Sequence, residues 1–203
     1  MLRRLPARPA RSRPRSRFRS SAVGERGPLV VKVGGGLLSA EGLDGLRRGC
    51  AEVLELARDG PVLVVPGGGP FADAVRALDA QVGLGDGVAH ALALRAMDQL
   101  GVLLAPMLPD AEPIVRLVAP RALGLLAVTP AFAGRTGVPE SWEVTSDSLA
   151  VLAAGAIGAE EAILLKPVDG GAVDPYVPEA ARRTGVTVVI RAPGGLGTTI
   201  THR

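Results

Sequence analysis

The chain has 203 residues, 47% hydrophobic and 21% charged, values of one globular domain with or without a tail. Aromatics are only 2%, so the core must be Leu, Val and Ala, and the single Cys50 excludes an internal disulfide. The net charge of +3 is unevenly divided: residues 1–27 hold nine arginines against Glu25 alone, which leaves 14 basic and 19 acidic residues for the remainder. The domain itself is therefore mildly acidic, and nucleic-acid binding is not expected of it.

Residues 1–27 are rich in Arg, Pro and Ser and lack the apolar centre of a secretory signal. Their makeup suits a disordered tail or a start codon placed upstream. It also resembles a transit peptide, and an RNA-binding arm stays open. The domain is expected over residues 28–203. No stretch approaches the ~20 uninterrupted apolar residues of a membrane span. The lone cysteine suggests a reducing compartment, and a cytoplasmic location is expected.

From Pro28 onward, short apolar runs alternate with helical patterns. Leu29–Val33 predicts a strand, and residues 40–58 a helix with Leu43, Leu46, Val53, Leu54 and Ala57 on one side. Val62–Val65 predicts a second strand, bounded by Pro61 and Pro66. Helices are expected over 71–81 and 88–104, the latter with Asp86 near its N-cap. Residues 114–118 and 125–128 suggest strands, 146–157 an Ala/Leu helix and 162–165 a strand. A helical turn over 178–183 and strands over 186–190 and 198–201 complete the order. Continuous apolar strands between helices imply an α/β chain, a three-layer α/β/α sandwich around a mostly parallel sheet.

Only two lysines occur, Lys32 and Lys166; the other 21 basic residues are arginine. Each lysine ends an apolar strand-like run, and a compact ammonium suits a tight loop better than a guanidinium fork. Triple glycines follow two strands: Gly34, Gly35 and Gly36 after the first, Gly67, Gly68 and Gly69 after the second. Glycine lets the backbone turn its N–H groups toward a phosphate, and a following helix N-terminus adds partial positive charge. Tight strand–helix turns would need glycine too. Neither loop has the Lys-Ser/Thr ending of a P-loop or the dinucleotide G-x-G-x-x-G pattern. Thr145, Ser146, Asp147 and Ser148 open a helix, where they could act as an N-cap. Asp147 could equally face a phosphate site and orient the lysines or a Mg²⁺.

The segments K-V-G-G-G, V-P-G-G-G-P-F-A-D-A-V-R, W-E-V-T-S-D-S-L-A, L-L-K-P-V-D-G and a final G-T-T-I together resemble the amino acid kinase superfamily, from about Leu29 to Ile200. Gly85–Gln99 and the S-W-E-V-T-S-D-S block resemble its small branch of aminomethylfuran methyl phosphate kinases of methanofuran biosynthesis. The resemblance implies ATP and Mg²⁺ as cofactors. It implies catalytic roles for Lys32, Asp147 and Lys166. It places the transferred phosphoryl over Gly34–Gly36 and the acceptor over Gly67–Gly69, with Arg76 a candidate for the acceptor phosphate. Thr145, Ser146, Ser148, Asp169 and Gly170 would face the nucleotide; no metal ligand is assigned. Where many relatives carry Ser, this chain has Gly36; where many carry Thr-Asp, it has Lys166-Pro167. The Gly170–Gly197 segment is short, so the nucleotide half is trimmed.

In-line phosphoryl transfer needs positioning and charge neutralisation more than covalent help. A site of lysines, glycines and one aspartate, without a convincing base, suits a phosphate or carboxylate acceptor. The expected activity is therefore ATP-dependent phosphorylation of an anionic small molecule, with an aminomethylfuran methyl phosphate as the leading candidate. A nucleoside monophosphate or amino acid carboxylate acceptor, or a nucleotide-binding or storage protein without turnover, stay open. His90 is expected to pack or cap, Met97 to be core, and Asp73, Asp86 and Glu143 to be surface acids. The apolar 88–104 helix, like its counterparts in the fold, implies a homodimer.

Overall fold

The computed structural model describes residues 26–200. The tail expected over residues 1–27 thus lies outside the described residues except for its last two. Of these, Arg26 already pairs with Glu161 at 3.6 Å. His202 and Thr201 also lie outside.

Seven strands form one sheet: β1 (Leu29–Val33), β2 (Val62–Pro66), β3 (Glu112–Ile114), β4 (Leu123–Leu126), β5 (Glu161–Leu165), β6 (Thr187–Arg191) and β7 (Thr198–Ile200). Their spatial order is β3-β4-β2-β1-β5-β6-β7, parallel except for the β6–β7 pair. The helices are α1 (Gly35–Leu56), α2 (Gly69–Val82), α3 (Asp86–Leu104), α4 (Val128–Phe132), α5 (Ser146–Ile157) and α6 (Val177–Thr184). A single 3₁₀ turn follows α3 at Ala105–Met107. Helices on both sheet faces make the expected α/β/α sandwich.

Burial explains the strand order. All five residues of β1 are buried, as the most central strand of a parallel sheet requires. Its side chains alternate between two cores. Val30 joins Leu63, Val65, Ala162, Leu164 and residues of α4, α5 and α6. Val31 and Val33 join Val64, Ile163, Leu165 and residues of α1 and the end of α3. The chain leaves β1 toward β2 on one side, while β5 pairs on the other. That reversal opens a crevice at the strands' carboxyl ends, the usual ligand site of such sheets.

Several boundaries differ from the sequence pattern. Helix α1 starts at Gly35, not near residue 40, and α2 at Gly69, not residue 71. Helix α1 opens on Gly35-Gly36 and α2 on Gly69-Pro70, residues that carry no apolar periodicity to read. Gly42 breaks α1 with φ 62° and ψ −153°, a conformation open to glycine. The strand expected over 114–118 is Glu112–Ile114, with Val115 and Val118 exposed. The one expected over 125–128 is Leu123–Leu126, because Val128 instead opens α4. The cause is Asp98 on α3: its Oδ1 accepts the Val128 amide at 2.6 Å, and its Oδ2 the Thr129 amide at 3.2 Å.

Helix α3 buries Ala89, His90, Leu94, Ala96, Met97, Leu100, Gly101 and Leu104, while Val88 and Val102 stay exposed. With the 3₁₀ turn it is long and apolar enough to cross a membrane by length and composition, at a mean hydropathy of 1.3, yet its inner face is part of both cores.

Asp98→Ala should leave two helix-end amides without their acceptor. We expect a loss of about 1–2 kcal/mol, read as a fall of roughly 3–6 °C in melting temperature. An unchanged melting temperature would show that water caps α4 equally well.

Candidate active site

The two-residue period of a strand places Lys32 in phase with Val30, and Lys166, just past β5, in phase with Leu164. Both ammonium groups therefore emerge on the sheet face covered by α5, one on each side of the crevice between β1 and β5. Asp147, in the first turn of α5, meets both. Lys166 Nζ donates to Asp147 Oδ2 at 2.6 Å, and Lys32 Nζ forms an ion pair with Oδ1 at 2.8 Å. The Ala172 carbonyl accepts a further Lys166 proton at 2.9 Å. Lys32, Asp147 and Lys166 are 4%, 3% and 9% exposed, so two buried cations share one buried anion.

That arrangement sets the charges. Burial alone would raise the Asp147 carboxyl, but the two lysines outweigh it and hold the group below its usual range. For Lys166, burial and then the Lys32 charge lower the ammonium, and Asp147 recovers only part of the difference. The two lysines and Asp147 leave one positive charge in excess, which the nearby buried Asp174 carboxylate offsets in part.

Helix α5 is not capped by its own hydroxyls: Thr145 at its N-cap makes no side-chain cap bond within the helix. The cap comes from Asp174, on the loop between β5 and α6. Its Oδ2 accepts from the Thr145 amide at 3.0 Å, the Thr145 hydroxyl at 2.8 Å and the Ser148 amide at 2.9 Å. Its Oδ1 accepts from the Ser148 hydroxyl. One buried carboxylate thereby fastens the loop that carries Ala172 to the helix that carries Asp147.

The two glycine loops lie against each other. The Gly67 amide donates to the Val33 carbonyl at 2.9 Å. A Cβ on Gly35 would lie 2.0 Å from the Gly69 Cα, and one on Gly67 would lie 2.7 Å from the Gly35 amide nitrogen. A Cβ on Gly34 would collide with Lys32 Nζ at 2.3 Å. Gly69 itself sits at φ 53°. Gly35, Gly67 and Gly69 are required by backbone-to-backbone packing that brings the N-termini of α1 and α2 together, whereas Gly34 makes room for the Lys32 ammonium. At Gly36 the nearest neighbour of a Cβ is Pro167 at 3.6 Å, so a side chain fits there.

A cavity of about 550 Å³ opens over the loops. Its wall holds Lys32, Gly35, Gly36, Gly68, Gly69, Asp147 and Lys166, with Thr145, Ser146 and Asp174. The same wall holds Arg76, Trp142 and His90 and the apolar Leu94, Met97 and Val144. Arg76 donates to Asp73 at 2.9 Å and lies 4.8 Å from the centre of the Trp142 ring. His90 is buried and its imidazole is held below the usual value, burial outweighing the opposing charge of Glu140. Ser148 is fully buried, with its hydroxyl on Asp174 and away from the cavity wall. Asp169 and Gly170 occupy an exposed turn, closed by Gly170 N–H to the Pro167 carbonyl at 3.0 Å; the loop reaches the cavity through Ala172–Pro175 instead. Asp86 and Glu143 are exposed.

The family model described as the amino acid kinase family matches residues 27–170, a span holding both glycine loops and both lysines. The chain belongs to the amino acid kinase family. Its sequence is 26% identical over 114 residues to [5-(aminomethyl)furan-3-yl]methyl phosphate kinase of Methanocaldococcus jannaschii, covering 54% of this chain and 53% of that protein. The chain thus spans about half the length of the curated relative it matches. Solved structures share the fold. The UMP kinase of Ureaplasma parvum has a TM-score of 0.65 at 10% identity, covering 87% of this chain and all of that one. The uridylate kinase of Archaeoglobus fulgidus has 0.58 at 18%, covering 79% and 88%. The aspartate kinase of Clostridium acetobutylicum has 0.52 at 13%, covering 86% and 63%.

For this amino acid kinase family member, sequence reasoning had singled out Lys32, Asp147 and Lys166 and the glycines. It missed Asp174 and Asp79. The Trp142 indole donates to Asp79 Oδ2 at 2.8 Å. Asp174-Pro175 follows a run of glycine and offers no periodic signal; only the distance across 26 residues to Ser148 reveals the cap. The donor set does not provide a protein cage for magnesium. Among the described residues no cluster of three or more His, Cys, Asp or Glu could hold an ion. Asp147 is engaged by two lysines, and Asp174 by four donors.

Two expectations follow from this geometry. Gly35→Ala should cost about 3 kcal/mol, because two backbones would have to part; Gly36→Ser should melt within a few degrees of the parent. Equal melting temperatures for the two variants would contradict the loop packing. The second concerns protonation. Asp147 titrates lower in the folded chain than its ordinary 3.8. Its contribution to stability is complete above the unfolded value and is lost as pH falls through the folded one. Lys166 titrates below its ordinary 10.5, so the unfolded chain holds that proton more tightly, and stability rises with pH between the two values. With only two lysines in the chain, nitrogen-15 NMR of the Nζ groups resolves each. Lys166 should lose its proton below pH 10.5, and a midpoint at or above that value would contradict the burial argument.

Proposed function

We propose that the chain is an ATP-dependent kinase that transfers the γ-phosphoryl group to an anionic small molecule. We infer as its acceptor an aminomethylfuran methyl phosphate, converted to the diphosphate in a methanofuran-type pathway. The observation that carries the reading is the buried Lys32–Asp147–Lys166 cluster, set where two glycine loops converge. A storage or binding role would not need two desolvated ammonium groups held in phase by one carboxylate.

In the reaction an acceptor phosphate oxygen forms a bond to the γ-phosphorus, the bond from that phosphorus to the β,γ-bridging oxygen breaks, and ADP leaves. The attacking oxygen is already an anion, so no general base is required, and His90 need not supply one. Lys32 and Lys166 neutralise charge on the oxygens around the transferred group, and Asp147 holds both in place. Amides at the starts of α1 and α2 add further donors: Gly34–Gly36 would lie beneath the transferred phosphoryl, Gly67–Gly69 beneath the acceptor. Thr145 and Ser146 stand on the nucleotide side in this reading, Arg76 on the acceptor side. Magnesium, when bound, supplies neutralisation of the nucleotide's phosphates. The full engagement of Asp147 and Asp174 favours its entry on phosphate oxygens and water over a protein cage.

The acceptor rests on the similarity to the Methanocaldococcus enzyme and on the chemistry of the cavity. A small ring bearing a phosphate and an aminomethyl group finds apolar surface, the Arg76 guanidinium, the Trp142 indole and the Asp73 carboxylate on the same wall.

ADP release with a panel of acceptors tests the proposal. Turnover should appear with the aminomethylfuran phosphate; a preference for UMP or an amino acid would reassign the acceptor, and no turnover with any would remove the kinase reading. Lys32→Ala and Lys166→Ala should each lower kcat by roughly two to three orders of magnitude, by comparison with loss of one preorganised donor. Near-normal kcat in both would overturn their roles.

A further inference from the structure

Trp142 is the chain's only tryptophan, and it lines the same cavity as the lysines. Its indole N–H donates to Asp79 Oδ2 at 2.8 Å, across 63 residues of sequence. The other oxygen of the same carboxylate accepts the Leu84 amide at 2.8 Å, just past the end of α2. Asp79 is thus held from both sides and fixes the indole against α2. The Arg76 guanidinium, one turn earlier on α2, lies 4.8 Å from the ring centre, within the range of a cation–π contact. Asp73 holds one of its nitrogens at 2.9 Å. Asp73, Arg76 and Trp142 all line the cavity, whereas Asp79 does not.

A free arginine on a helix surface samples many rotamers. This one, still about half exposed, rests against an indole face and a carboxylate one turn away, which narrows its choice of rotamers. Ordering a flexible cation before a ligand arrives removes part of the entropy cost of binding an anion. Arginine offers five donors and Asp73 takes one contact, so donors remain for a phosphate.

We propose that Trp142, fixed by Asp79, is a positioning residue that holds Arg76 as a docking point for the acceptor's phosphate and so sets the cavity's preference for phosphate-bearing ring acceptors. This rests on the reading of Arg76 as an acceptor-side residue. Trp142 and Asp79 act through Arg76; neither is a catalytic residue. The guanidinium meets the acceptor's phosphate, and Leu94, Met97 and Val144 offer its ring apolar surface in the same cavity.

The sole tryptophan makes the test direct, without turnover. Furfuryl phosphate is titrated into the full chain while indole emission is followed, with furfuryl alcohol as the uncharged control. The emission should change saturably with the phosphate and not with the alcohol at equal concentration. Arg76→Ala should abolish the response. Asp79→Ala should weaken binding about tenfold, the size of a lost partly desolvated cation–π arrangement. Trp142→Leu, folded by circular dichroism, should weaken binding to the same extent by calorimetry, and Trp142→Phe should recover part of it by restoring a ring face. In kinetics with the preferred acceptor, these Asp79 and Trp142 variants should raise the acceptor KM while kcat and the ATP KM stay near the parent values. A general loss of structure would move all three. Parent-like affinity in Asp79→Ala and Trp142→Leu, or no saturable emission change in the parent, overturns the proposal. The kinase reading fails separately: a chain that gives the Trp142 response but never releases ADP refutes turnover alone, and one that releases ADP with no such response refutes this inference alone.

Discussion

Two ammonium groups on one buried carboxylate form the constraint around which the rest of the site is arranged. Removing either oxygen contact of Asp147 would leave a cation buried without its partner, a change that costs about 3–5 kcal/mol in comparable buried pairs. The surrounding structure therefore has to hold α5 to the sheet at a fixed height. Asp174 does so at the start of the helix, and the small residues Ala150, Ala153 and Ala154, all fully buried, let α5 lie close to the strands.

The glycines answer the same constraint from the other side. With no Cβ on Gly34, the Lys32 ammonium can fold back beside its own strand end. With none on Gly35 and Gly67, the two loops approach at backbone contact and their helices start from nearly the same place. Glycine at these positions is a packing requirement first. The donor-rich pocket follows from it, since two helix starts brought together present their unpaired amides to one volume. Gly36 is different: space is open above it, and a serine hydroxyl would fit there.

The cavity wall combines two kinds of chemistry: the lysine cluster with its glycine loops, and apolar side chains with an arginine against an indole. The short loop after β5 serves the lysine cluster by bringing both the Ala172 carbonyl and the Asp174 carboxylate to it within a few residues.

The sequence by itself determined the alternation of strands and helices, the parallel sandwich and the two lysines with their glycine turns. Buried strands are written as runs of Val and Leu, and a lysine ending such a run has few places to go. It also marked Asp147, because a carboxylate opening an apolar helix stands out. Only the tertiary structure decided which group caps that helix, since Asp174 reaches it across a loop with no periodic pattern. The same holds for Asp79 beneath Trp142, Asp98 at the start of α4, and the mutual packing of the glycine loops. Each of these is a contact between segments far apart in sequence, made by single polar or glycine residues. Hydrophobic periodicity reports which face of an element is buried; it carries no information about which distant carboxylate completes its hydrogen bonds.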